Sequence, residues 1–198
     1  GNQRKVDMGR LDGEIAVITG AARGQGLAAA RLFSQEGARV VMTDVQDDLG
    51  SAEAANIRSE GGHAHYVHCD VSQADDVRAL ADAAVAEYGS PSILYNNAAI
   101  WSGGRADNFV TELEEDGWAQ IIGVNLTGVF LCCKHMIPLM AARGGGSVIN
   151  TSSVAGIAGS RGPSHAYSAS KGGVVALTRP SEMAQAEQKI RAHAIWPG

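Results

Sequence analysis

A chain of 198 residues, 45% of them hydrophobic, is long enough for one domain that buries about 70% of its unfolded surface. A formal charge of −5, with Arg4-Lys5 as the longest basic run, argues against a nucleic-acid partner. No apolar run reaches membrane-spanning length and the polar N-terminus has no signal-peptide core, so no membrane partner is expected. Cys69, Cys132 and Cys133 form neither a C-x-x-C pair nor an even framework, which predicts a reducing, cytoplasmic setting.

In chain order, residues 1–9 read as a leader or expression remnant before one domain over 10–198. Strand-like runs fall at 15–19, 39–44, 65–69, 92–96, 147–151 and 191–196. Between them lie helical stretches at 24–36, 47–60, 73–88, near 112–142 and near 165–188. Most strand runs are apolar throughout rather than alternating, as strands covered on both faces require. This pattern predicts an α/β fold, a single doubly wound parallel sheet of order 3-2-1-4-5-6 with right-handed crossovers. Gly37 and Gly61-Gly62 close the first two helices, and Ser72 with Asp75 resembles an N-cap box for the third. Pro180 is expected to interrupt the last helix.

The turn after the first strand reads Thr19-Gly20-Ala21-Ala22-Arg23-Gly24-Gln25-Gly26, a G-x-x-x-G-x-G pattern. Gly20 permits a tight turn, while Gly24 and Gly26 let backbone and pyrophosphate approach at the helix N-terminus. Asp44, ending the second strand, can accept two hydrogen bonds from an adenosine ribose and would repel a 2′-phosphate. Arg23 pulls the other way, since a guanidinium could meet that phosphate. Asp44 decides the choice, because a second negative charge at one subsite costs more than a solvated arginine returns. The expected cofactor is NAD.

Tyr167 and Lys171 stand four residues apart in Tyr-Ser-Ala-Ser-Lys, side by side on one helix face. A lysine cation at about 4 Å favours the phenolate by roughly three pKa units, enough for proton exchange near neutrality. Gly172-Gly173 weakens the same helix, which predicts close approach of a cofactor or a partner helix. His63, His65 and His68 do not share one face of a strand, so no metal is expected. The segment 101–109 follows the fourth strand and should border the pocket, with Asp107 and 112–116 as a solvated helix start.

With these motifs in order, residues from about 10 to 198 resemble the short-chain dehydrogenase/reductase superfamily, whose domain is a Rossmann fold. The turn resembles the family's T-G-x-x-x-G-x-G, with Gln25 in a place usually held by an apolar residue. Asp70-Val71 is similar to an adenine-contacting pair. Asn96-Asn97-Ala98-Ala99 resembles the N-N-A-G turn, with Ala99 replacing glycine. The resemblance assigns catalysis to Asn125, which holds a relay water, and to Ser153, Tyr167 and Lys171. Of the serine doublet, Ser153 fits better than Ser152 because it directly precedes Val-Ala-Gly. Implied cofactor contacts are Gly20, Arg23, Gly24, Gln25, Gly26, Asp44, Asp70, Val71, Asn97, Ala98 and Ala99, with Tyr167, Lys171, Pro197 and Gly198.

The implied activity is NAD-dependent hydride transfer between a secondary alcohol and a ketone. Two rival readings are a non-catalytic dinucleotide sensor and an epimerase or dehydratase that retains NAD. The resemblance also implies a homodimer or homotetramer built through the helices near 112–142 and 165–188. Arg191-Ala192-His193-Ala194 departs from the family's R-V-N-A, and the family's substrate lid and seventh strand are not among the residues up to Gly198. A sixth strand left open would be an unpaired hydrophobic edge. A longer natural chain is therefore expected.

Overall fold

The structure, a computed structural model, describes residues 9–101, 107–158, 162–184 and 186–197. Its strands are β1 (Ile15–Thr19), β2 (Arg39–Asp44), β3 (His63–His68), β4 (Ile93–Asn96), β5 (Gly146–Thr151) and β6 (Ile190–Ile195). They form one parallel sheet in the order β3-β2-β1-β4-β5-β6. All five residues of β1 are buried, as its place in the middle of a two-faced sheet demands.

Two apolar layers sandwich the sheet. Helices α1 (Gly24–Gln35) and α2 (Asp47–Ser59) cover one face, meeting Ala16, Ile18, Val40 and Met42 through Ala30, Ala54 and Ile57. Helix α3 (Ala74–Tyr88) and the long helical run that follows β4 cover the other, around Val17, Val41, Leu94 and Val148. Helix α7 (His165–Ala184) joins this second layer through Val174. On the first face, a cavity of about 730 Å³ opens between Leu32 and Phe33 of α1 and Ile93, Ser147, Ile149 and Arg191 of the strands.

The stretch read as one helix near 112–142 is three joined pieces. Helix α4 (Glu115–Ile122) passes into a π-helical segment (Gly123–Thr127) and then α5 (Gly128–Arg143). Such a widened turn inserts one residue into the helical repeat and commonly marks a functional site. By length, and by the composition of its most apolar 18 residues (mean hydropathy 1.4), the run Glu115–Arg143 could cross a membrane. It is a core helix here, burying Val129, Leu131, Met136, Ile137 and Met140 against the sheet.

Other expectations needed correction. Helix α7 continues through position 180 to Ala184, because docking of its earlier turns outweighs the one donor proline removes. Ser72 does not cap α3, since its hydroxyl and N–H both donate to the Asp70 carboxylate, at 2.7 and 2.9 Å. Gln73 stands at the cap position and makes no side-chain capping bond, its Nε2 donating to Ser72 Oγ at 3.0 Å instead. A short helix, α6 (Ala155–Ala158), follows β5 where the sequence showed none. The glycine pair in α7 meets two neighbours: a Cβ at Gly173 would lie 2.7 Å from Leu126 of the π segment, and one at Gly172 would lie 3.2 Å from the Gly156 carbonyl oxygen of α6. Packing within the chain accounts for both small residues.

Gly26 has a different task from the one expected. A Cβ there would lie 2.1 Å from the Gly20 carbonyl and 2.6 Å from Asn97 Nδ2, so it permits helix-to-turn packing rather than ligand approach. Gly26→Ala should lower stability by about 2 kcal/mol, the scale of overpacking a core. Urea unfolding with an unchanged midpoint would show that the turn can yield.

Candidate active site

The carboxyl ends of β1, β2, β3 and β4 converge on a cleft of about 430 Å³. Its floor is the glycine turn. Gly20 and Gly24 have φ of +65° and +59°, a region that residues with a Cβ rarely adopt. At Gly24 a Cβ would meet nothing within 4 Å, so that side of the turn is open. The first turns of α2 and α3 carry Asp47-Asp48 and Asp75-Asp76, whereas the first turn of α1 carries no carboxylate. Its unpaired N–H groups and positive dipole end therefore remain free for an anion.

Asn97 fixes this turn against the next one. Its Nδ2 donates to the Thr19 and Gly20 carbonyls at 3.1 Å, and the Thr19 hydroxyl accepts the N–H groups of Asn97 and Ala98. Neighbouring Asn96 donates to Asn150 Oδ1 at 2.8 Å, tying β4 to β5 beneath the site. Of the expected cofactor contacts, the cleft brings together Gly20, Arg23, Gly24, Asp44, Asp70, Val71, Asn97, Ala98 and Ala99. Gln25 and Gly26 lie outside its lining, in the first turn of α1. Pro197 follows β6 and is not in the lining either, while Gly198 lies outside the described residues.

Asp44 is only 9% exposed. Its Oδ1 accepts the Val45 and Gln46 N–H groups and Gln46 Nε2, and its Oδ2 accepts the Ala22 N–H at 3.1 Å. Four acceptor sites on a carboxylate leave Oδ2 able to take one more donor, not the two expected. Asp44 thus also braces the glycine turn. Arg23 is exposed and forms no ion pair among the described residues.

The second half of the site lies past β5. Lys171 is 2% exposed, and its Nζ donates to the Thr151 carbonyl at 2.7 Å. Burial lowers its pKa to about 8, so the ammonium is still mostly protonated at neutral pH. It sits 5.7 Å from the centroid of the half-buried Tyr167 ring, one helical turn away. The two hydroxyls of the doublet separate cleanly. Ser152 is buried and donates to the Lys171 carbonyl at 2.7 Å, whereas the Ser153 oxygen accepts an N–H from Ala155 and, among the described residues, donates to none.

Asn125 is fully buried in the π segment. Its amide binds the N–H and carbonyl of Ile100 at 2.8 and 3.0 Å and the Ser170 oxygen at 3.2 Å. One lone pair on Oδ1 remains.

Several residues escaped the sequence reading. Val45, Gln46, Cys69, Ile100, Gln120 and Val124 also line the cleft. Four of them adjoin residues already singled out, at Asp44, Asp70, Ala99 and Asn125, and adjacency was the signal for these. Gln120 carried none. Asp107, expected to be solvated, is 4% exposed, and its carboxylate accepts the N–H groups of Ala166 and Tyr167 at 3.0 and 2.8 Å. Its partners are 59 and 60 residues away, beyond any local pattern. Burial raises the Cys69 pKa to about 12 and the Cys133 pKa to about 11, so these thiols are chemically quiet. Among the described residues, no group of three or more His, Cys, Asp or Glu is placed to hold a metal.

A family model for short chain dehydrogenases matches residues 14–198. The chain belongs to the short-chain dehydrogenase family. Among curated relatives of this short-chain dehydrogenase, tropinone reductase-like 1 of Erythroxylum coca is 43% identical over 189 residues, covering 95% of this chain and 68% of that one. The mitochondrial borneol dehydrogenase of Lavandula x intermedia is 41% identical over 188 residues, covering 95% and 70%. A crystal structure from Burkholderia xenovorans, assigned to the short-chain dehydrogenases/reductases, superposes with a TM-score of 0.89 at 33% identity. That match covers 96% of this chain and 76% of the other.

The buried ammonium yields a stability test with a defined sign. A folded pKa below the unfolded one means that burial of the charge opposes folding fully below about pH 8, and the penalty fades as pH rises toward 10.5. Its size is on the order of 3 kcal/mol, less the bond to Thr151. Lys171→Met should therefore unfold at higher urea than the unaltered protein at pH 7, with the advantage shrinking above pH 8. Equal midpoints at pH 7 and pH 10 would refute the penalty.

Proposed function

We propose that this short-chain dehydrogenase is an NAD-dependent oxidoreductase interconverting secondary alcohols and ketones. The observation that carries the reading is the buried Lys171 ammonium beside the Tyr167 ring, next to a cleft with an open glycine turn. The residues fit a dinucleotide: Gly24 leaves room for a pyrophosphate, the α1 N-terminus is free of carboxylates, and Asp44 keeps one acceptor site for a ribose hydroxyl. Nicotinamide, when bound, supplies the hydride acceptor or donor for the carbinol carbon.

The chain's own groups handle the proton. Tyr167 takes it from the alcohol oxygen or returns it, with the Lys171 ammonium 5.7 Å from the centre of its ring. Ser153, with its hydroxyl proton uncommitted, donates to the oxygen on which negative charge develops. Asn125 holds the loop after β4 against α7, and its remaining lone pair suits the relay water that the family resemblance implies. Trp101, Val154, Ile157 and Trp196 are exposed apolar side chains following β4, β5 and β6. They favour a substrate with an apolar ring or chain, in keeping with a borneol dehydrogenase among the relatives.

Exposed Trp118 and Phe130 on the Glu115–Arg143 run support assembly into a homodimer or homotetramer through that helix. Three buried, unpaired cysteines support a cytoplasmic location.

Tyr167→Phe should lose about a thousandfold or more in kcat, with NAD affinity kept within a few-fold. Absorbance of NADH over a panel of secondary alcohols measures this, and retention of a tenth of the activity would remove Tyr167 from the proton path. On cofactor choice, the unaltered protein should bind NAD at least about tenfold tighter than NADP, as a buried carboxylate near a 2′-phosphate implies. Fluorescence titration giving equal affinities would shift the weight to Arg23.

A further inference from the structure

We infer that Asp107 is a positioning residue for Tyr167, holding the first turn of the catalytic helix from outside it. The inference rests on the proposed role of Tyr167. Tyr167 is the third residue of α7, so its backbone lies in the turn whose N–H groups have no partner within the helix. A helix end of this kind frays unless something caps it.

The local residue does not cap it. Ser164, immediately before the helix, turns its hydroxyl to Ser168 Oγ at 3.4 Å and to the Gly162 carbonyl at 3.5 Å. Asp107 takes over from the far side of the site. Its Oδ1 accepts the Ala166 N–H and its Oδ2 the Tyr167 N–H, and its charge lies at the positive end of the helix dipole. The carboxylate is almost wholly shielded from water, so these bonds are not in competition with solvent.

Two further contacts tie the same short stretch to the same turn. His165 Nδ1 lies 3.0 Å from the Asn108 carbonyl, and the Phe109 and His165 rings are 6.3 Å apart. Trp101 lies 6.4 Å from the Tyr167 ring, centroid to centroid. The phenol is therefore held at its backbone by Asp107 and flanked at its ring by Trp101. Proton transfer depends on that placement, because a misplacement of about 1 Å can cost on the order of a hundredfold in rate.

The test compares Asp107→Ala and Asp107→Asn with the unaltered protein. Asp107→Ala should lower kcat by about ten- to a hundredfold while the NAD dissociation constant stays within about threefold, since the cleft is built elsewhere. Asp107→Asn keeps one acceptor oxygen of the two and should recover only part of that loss. Hydrogen exchange should show the Ala166 and Tyr167 amides at least about tenfold less protected in Asp107→Ala, with β4 and α5 unchanged. Should Asp107→Ala not fold, the same two readouts on Asp107→Asn and Asp107→Ser decide. Unchanged kcat, or unchanged protection at these two amides, overturns the inference while leaving the proposed reaction standing. An unaltered protein with no turnover of any alcohol would instead defeat the proposed reaction, and the exchange data would still decide whether Asp107 holds the turn.

Discussion

Strands β1 and β4 are neighbours, yet the helices after them depart to opposite faces of the sheet, and the crevice between them must be held open without collapsing. The Asn97 amide does this. By donating to two consecutive carbonyls of the β1 turn, it satisfies backbone groups that the left-handed glycine conformation would otherwise strand. The Thr19 hydroxyl closes the same junction from the other strand. The open side of Gly24, the reach of Asp44 toward the cleft and the path of the chain to Ile100 all follow from the spacing these bonds set.

From that junction, polar contacts run on to Tyr167 and Lys171. Ile100 is gripped by Asn125, Asn125 by Ser170, and Ser170 donates to the Tyr167 carbonyl at 2.7 Å. Ser152 and Thr151 meet Lys171 at its carbonyl and its ammonium. The cleft at the glycine turn and the Tyr167–Lys171 pair are thus parts of one bonded framework. Burial of the Lys171 ammonium comes at the expense of stability, since a desolvated cation opposes folding.

The sheet was legible because apolar runs and glycine punctuation act locally, and all six strands lie within about two residues of their expected ends. The glycine turn was legible for the same reason. What the sequence hid were relations between distant residues. Gly26 looked like a ligand-facing glycine until its neighbour proved to be the Gly20 carbonyl. Asp107 looked like one more surface acid because its two donors sit in another element. Ser72 was drawn to Asp70 by a carboxylate two residues behind it, which defeated the capping pattern ahead. The π segment leaves no compositional trace at all, since Val-Asn-Leu-Thr is compatible with an ordinary helix.

The widened turn of the π segment is costly to remove. A single-residue deletion within Gly123–Thr127 would restore a regular α-helical repeat from Glu115 to Arg143, a gain for an isolated helix. It would also turn Asn125 away from Ile100 and Ser170 by roughly 100°, stranding a buried amide. The irregularity thus costs the run its regular repeat and in return keeps a fully buried amide paired with two partners on other parts of the chain.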